Sequence, residues 1–250
     1  MYKFFKILIL LLCNLNTIHA KKLGENYAPF IFGTSPDNPP YEFSPHTSMV
    51  GIDIDVINAI GKKLNKHPII GNHMSFSNLL LEAKRGKFDA VIASTTPTEE
   101  RKKHFDFTKS YFKSKIALLA LKKSNVNSLK DLKNKILGMQ SSTTYEALAK
   151  NYIKEHNAII KTKSLTNMLI LFEELKRGYI DAILTEEVQA NYMARKYSQF
   201  RVIILEEFPA AEYAILLPKN SPYLNQINAA IDELSSEGEL EKIKLKWLNQ

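Results

Sequence analysis

Apolar residues recur along the chain with two alternating spacings. Residues 30–33 read as a strand. Ile52, Val56, Ile57, Ile60 and Leu64 then share one helical face, and Leu79, Leu80 and Ala83 lie on a second helix that Gly86 ends. Residues 88–93 predict a short strand, apolar on both faces as a covered parallel strand is. After an apolar run over 116–121 the rhythm repeats: strand 136–140, helices 145–156 and 165–177, strand 180–184, helix 186–197. This alternation predicts an α/β chain with crossover connections.

One segment recurs. Lys84-Arg85-Gly86-Lys87-Phe88-Asp89-Ala90-Val91-Ile92 returns as Lys176-Arg177-Gly178-Tyr179-Ile180-Asp181-Ala182-Ile183-Leu184. Each copy combines a basic helix end favoured by the macrodipole, a glycine stop and a buried strand opened by Asp-Ala. The match is either a coincidence of two common junctions or the mark of two similar lobes. Two lobes present two sets of strand C-terminal ends, where α/β folds place ligands, and the cleft between them is the natural site.

Polar residues crowd the ends of these strands. Ala93 is followed by Ser94, Thr95, Thr96, Pro97, Thr98, Glu99, Glu100 and Arg101, and Met139 by Gln140, Ser141, Ser142, Thr143, Thr144, Tyr145 and Glu146. Thr96 with Pro97 and Glu99, or Thr98 alone, suits a helix cap, and Thr143 with Glu146 has capping-box spacing. Such helix starts either serve only as caps or also receive an anion. Arg101 offers a planar fork for a carboxylate, unless Glu99 or Glu100 neutralises it. At a third strand end Glu186 offers an ammonium its carboxylate, or simply favours its own helix start. Carboxylate cradle on one side and ammonium partner on the other describe a free α-amino acid.

Composition narrows the classes. Residues 1–20 pair Lys3 and Lys6 with the apolar run 7–12 and a small-residue end at Ala20, the order of a cleaved secretory signal. Cys13 is the only cysteine, so a mature chain starting near Lys21 has no thiol for disulfides, zinc or nucleophilic catalysis. The formal charge of +8 falls to +6 without Lys3 and Lys6. The lysines are interleaved with acids rather than aromatics, which argues against nucleic acid. His46, His67, His73, His104 and His156 lack metal-ligand spacing, and no cofactor is expected.

The segments PPYEF (39–43), GIDIDVINAI (51–60), KFDAVIASTTPTEERKKHFDFTKSYF (87–112), GYIDAILTEE and AAIDELSSEGELEKIKLKWL (229–248) resemble the periplasmic amino-acid-binding proteins of ABC importers, the family 3 solute-binding proteins. The likeness runs over essentially the whole mature chain and is greatest toward arginine-binding members of the ArtJ type. It implies a type II two-lobed periplasmic binding protein fold, each lobe a mostly parallel sheet flanked by helices, joined by two hinge strands. Lobe 1 would comprise 21–114 with 208–250, and lobe 2 115–207.

The resemblance assigns the α-carboxylate to Arg101, Thr96 and the backbone near Thr143. It assigns the α-ammonium to Ser94, the Ala93 carbonyl and Glu186. Phe76 would stack on the ligand side chain, and Met139 and Ser142 would finish the far wall. The chain departs from the pattern at Asn38, where many members place a second stacking aromatic, and at Ser35, where some binders of basic residues have an acid. Tyr41 reads as core, and Asp37 as a turn residue or a partner for a cationic side chain. The expected product is a monomeric periplasmic protein that hands its amino acid to an importer permease. A dehydratase of the cyclohexadienyl type, with Glu186 as acid, and a ligand-binding sensor or adhesin are the competing readings.

Overall fold

The computed structural model describes residues 29–71 and 74–248. The expected signal segment, Cys13 and His73 lie outside them. Two five-stranded sheets organise the chain. The first is built from both ends of the described sequence, in the order β4-β1-β5-β12-β6: β1 (Pro29–Gly33), β4 (His67–Ile70), β5 (Ala90–Val91), β6 (Phe105–Ser114) and β12 (Ala211–Pro218). The second comes from the middle, in the order β11-β7-β10-β8-β9: β7 (Ile116–Leu121), β8 (Ile136–Gln140), β9 (Lys161–Leu165), β10 (Ala182–Glu186) and β11 (Phe200–Ile204). A hairpin of β2 (Asp37–Asn38) and β3 (Glu42–Phe43) stands beside the first.

Each sheet is parallel where crossover helices link its strands, β4-β1-β5 and β10-β8-β9, and antiparallel at the strands by which the chain changes sheet. It changes twice. Lys115 alone separates β6 from β7, and residues 205–210 lead from β11 back to β12. Both sheets are therefore mixed, because β6, β7 and β12 run against their neighbours.

The α-helices among the described residues are α1 (Ile52–Lys63), α2 (Phe76–Lys84), α3 (Glu99–Lys102), α4 (Thr144–Glu155), α5 (Met168–Arg177), α6 (Glu187–Lys196), α7 (Leu224–Ser236) and α8 (Glu239–Leu248). Helix α1 buries Ile52, Val56, Ile57 and Ile60, the face its spacing predicts. The expected helix over 165–177 starts later. Leu165 closes β9, and Asn167 caps α5 by accepting the Ile170 N–H at 3.1 Å.

The repeated segment makes the same construction twice. Gly86 and Gly178 follow α2 and α5 with φ of 75° and 78°. A Cβ at either would meet nothing within 4 Å, so the left-handed backbone rather than space calls for glycine. The Asp89 carboxylate accepts the N–H of Ile31 on β1 at 2.7 Å, and Asp181 accepts that of Ile136 on β8 at the same distance. Each aspartate also donates its own N–H to that residue's carbonyl, at 2.9 Å in both cases. Two similar lobes, rather than coincidence, account for the echo.

Candidate functional site

Connections from both sheets converge on one cavity of about 510 Å³, counting its open part. The β2–β3 hairpin supplies Asn38, Tyr41 and Glu42, the start of α2 supplies Phe76, and the segment after β5 supplies Ala93, Ser94, Thr96 and Arg101. From the second sheet come Gln140 at the end of β8, Thr143 to Tyr145 at the start of α4, and Thr185, Glu186 and Gln189 around the β10–α6 junction.

Arg101 sits where α3 ends its single turn, which Thr98 caps by accepting the Arg101 N–H at 3.3 Å. Glu99 and Glu100, its candidate neutralising partners, are taken by Lys102 and Lys103. The guanidinium instead donates from Nη1 to the Thr96 carbonyl at 2.8 Å and from Nη2 to the Ser142 carbonyl of the other sheet at 3.0 Å. It lies 5.2 Å from the Phe76 ring centroid, a cation–π contact. Burial lowers its pKa to about 10, which leaves it charged at neutral pH.

Glu186 ends β10 and caps α6: its carboxylate accepts the N–H groups of Val188 at 2.8 Å and Gln189 at 2.6 Å. It also accepts the hydroxyls of Tyr41, at 3.0 Å, and Ser114. Helix cap and cavity wall are thus one side chain. Burial raises its pKa to about 7 against the effect of these donors.

Ser94 has φ of 38°, a left-handed conformation that costs energy for a residue with a Cβ. The strain aims its N–H at Asp53 Oδ2, at 2.8 Å, and its hydroxyl toward Glu42 Oε2, at 3.5 Å. Asn38 donates to both Glu42 oxygens, at 3.1 and 3.2 Å, and to the Ser94 hydroxyl at 2.6 Å, while its carbonyl accepts from Gln189 of the other sheet. Ser35 donates to Glu42 at 3.0 Å. Burial raises the pKa of Glu42 well above the usual carboxyl range, and the neighbouring Asp53 adds to the shift. Burial raises Asp53 too, although the Tyr111 hydroxyl at 2.7 Å favours its charge.

Of the residues proposed from sequence, Asn38, Phe76, Ala93, Ser94, Thr96, Arg101, Thr143 and Glu186 line the cavity together. Met139 does not: it is only 1 % exposed in the core, because neighbouring strand residues face opposite ways, and Gln140 takes the wall position. Ser142 contributes its main-chain carbonyl rather than a wall side chain. Thr143 accepts the Glu146 N–H at 3.4 Å while Glu146 accepts that of Ser142 at 2.9 Å, so the capping pattern is present with the reciprocal bond one residue early. Asp37 serves neither as turn residue alone nor in the wall; it reaches the second sheet's α5. Tyr41 is buried in the core, and its hydroxyl also reaches the site. Glu42 and Gln189 were missed. Glu42 stood in the Pro-Pro-Tyr-Glu-Phe motif, and Gln189 three residues past Glu186, on the same helical turn.

Among the described residues no group of His, Cys, Asp and Glu is placed to hold a metal ion. None of the described helices is long and apolar enough to cross a membrane.

The family model of bacterial extracellular solute-binding proteins, family 3, matches residues 30–250. The arginine-binding extracellular protein ArtP of Bacillus subtilis (strain 168) is 32 % identical over 219 residues, 87 % of this chain and 85 % of that one. Among solved structures, an ancestral arginine-binding protein bound to arginine superposes with a TM-score of 0.81 at 34 % identity, covering 88 % of this chain and 97 % of the other. The arginine-, lysine-, histidine-binding protein ArtJ from Geobacillus stearothermophilus gives 0.81 at 25 % identity, covering 89 % and 96 %.

Proposed function

The chain belongs to the bacterial extracellular solute-binding proteins of family 3, and on that premise we propose that it captures a free L-amino acid between its sheets and delivers it to an ABC importer. Arginine is the first candidate, followed by other basic or polar amino acids. One observation carries this reading. Arg101, which has no carboxylate partner among the described residues, and the acids Glu186 and Glu42 line a single cavity. A zwitterion with a cationic side chain matches that pattern: its carboxylate takes Arg101 with Thr96 and Thr143, and its ammonium takes Glu186, Ser94 and the Ala93 carbonyl. Its side chain runs along Phe76 toward Glu42.

In this reading residues 21–114 with 208–250 and residues 115–207 are two lobes that close by hinge motion at the two crossings. Ligand favours closure because each lobe carries only part of its contacts. The ArtP and ArtJ names support arginine as ligand, and the family's extracellular character supports export through a cleaved segment 1–20. The working unit is a monomer presented to the importer's permease. Calorimetry of protein stripped of carried-over ligand against the twenty amino acids tests the proposal. Micromolar or tighter binding of arginine is expected, and no binding of any amino acid at millimolar concentration overturns it.

A further inference from the structure

Glu42 and Asp53 form a buried carboxyl pair at the edge of the cavity. Glu42 is 1 % and Asp53 0 % exposed, and neither has an ion-pair partner among the described residues. Their hydrogen-bond donors are neutral. Ser35, Asn38 and Ser94 surround Glu42, while Tyr111 and the Ser94 N–H hold Asp53. The two carboxyls come together at Ser94, whose N–H bonds Asp53 Oδ2 at 2.8 Å and whose hydroxyl faces Glu42 Oε2 at 3.5 Å, and Glu42 is the one of the two that lines the cavity and can meet an incoming cation.

Two ionised carboxylates cannot share so dry a space without a countercharge. Other charged and titratable groups near the pair do not supply one. Asp37 and Glu186 are acidic, Tyr41 and Tyr111 are neutral phenols raised further by burial, and Lys246 of α8 is paired with Asp55. Arg101 is the one cation among the described lining residues, and it is engaged by the Thr96 and Ser142 carbonyls.

We propose that Glu42 and Asp53 share one proton, and that a ligand with a cationic side chain occupies the site by displacing it. The Glu42 O–H bond breaks, its electron pair stays on the carboxylate to meet the incoming guanidinium or ammonium, and the proton passes to solvent buffer. Asp53 is then a positioning residue. It touches no ligand, but it keeps Glu42 protonated until a cation arrives, so the site trades one positive charge for another. The inference rests on the proposed amino-acid site and deepens it.

The test is calorimetry of the mature protein with L-arginine and with L-citrulline, its uncharged near-isostere, in phosphate and in Tris at one pH. The dependence of the heat on buffer ionisation counts the protons released. Both ligands carry the same α-ammonium, so any proton leaving Glu186 is common to the two and cancels in the difference. Arginine should release about one proton more than citrulline, and its affinity relative to citrulline should rise by up to about tenfold per pH unit over the range in which Glu42 is protonated in the free protein. Equal proton counts and a flat affinity ratio overturn the exchange while leaving the amino-acid site standing. Failure of both ligands to bind at millimolar concentration overturns the site itself and the exchange with it. In Asp53→Asn the extra proton should shrink toward zero and the arginine profile should flatten; an unchanged extra proton in that variant removes Asp53 from the role. If Asp53→Asn does not fold, the wild-type difference between the two ligands decides.

Discussion

Asp37 of β2 accepts the main-chain N–H of Met168, the first residue of α5, at 2.9 Å, although 131 positions separate them. The bond ties the hairpin of the first sheet to a helix N-terminus of the second, where a negative charge is favoured. Asn38 beside it is bonded to Gln189, and Tyr41 to Glu186, so the short hairpin touches the other sheet three times.

Asp37→Ala removes this acceptor from the Met168 N–H, a bond between the two sheets that the proposed closure would form. Losing one such bond costs roughly 1–2 kcal/mol of closure, which predicts arginine binding weakened by about 5- to 30-fold. Small-angle scattering of the variant with saturating arginine should still reach the closed envelope. Unchanged affinity would mean that this contact does not contribute to closure.

Arg101→Lys keeps the charge and loses the fork. A lysine cannot hold the Thr96 and Ser142 carbonyls and also meet both oxygens of a carboxylate. Binding should weaken by roughly 10- to 100-fold for every amino acid the protein accepts, charged or neutral, because the loss falls on the common carboxylate. A loss confined to arginine would assign Arg101 to the side chain instead.

The ligand-free protein should be more stable at pH 5 than at pH 8. Burial raises Glu186 from 4.5 to about 7 and moves Asp53 in the same direction. For a carboxyl whose folded pKa lies above the unfolded one, the stabilisation is complete below the unfolded value and is lost as pH rises through the folded value. For Glu186 that window runs from 4.5 to about 7. The surface acids Glu82 and Asp106 are shifted down by their lysine and arginine partners and act below the window. Urea midpoints should fall between pH 5 and 8, and a flat or rising profile would contradict the burial of these groups.

Asp89→Ala and Asp181→Ala should behave as a matched pair. Each removes the side-chain acceptor of one strand N–H, Ile31 or Ile136. About 1 kcal/mol is expected from each in urea unfolding, with near-additivity in the double variant because the sites lie in different sheets. A loss at one site and none at the other would separate the two lobes energetically.

Much of the site was legible because its residue types break an apolar pattern. A fork-bearing arginine after a hydroxyl run and a glutamate closing a buried strand stand out in one dimension. Strand β9 did not, since Lys161 to Leu165 forms a sheet edge with exposed, mostly polar side chains and carries little apolar signal. Met139 and Gln140 were confused for the opposite reason. Leu137 to Gln140 are all buried, so no alternation marks which face looks into the cavity. Glu42 read as an ordinary motif residue because what distinguishes it, burial beside Ser94, depends on a contact across 52 positions of sequence.

Lys115 is the whole of the first crossing between the sheets, and its carbonyl already accepts the Glu187 N–H at 2.8 Å. Rotation of one sheet against the other there is confined to a handful of backbone torsions, with no slack loop to be gathered in. In the proposed closure this crossing has few backbone torsions left to freeze, so the ordering cost falls mainly on the longer second crossing, residues 205–210.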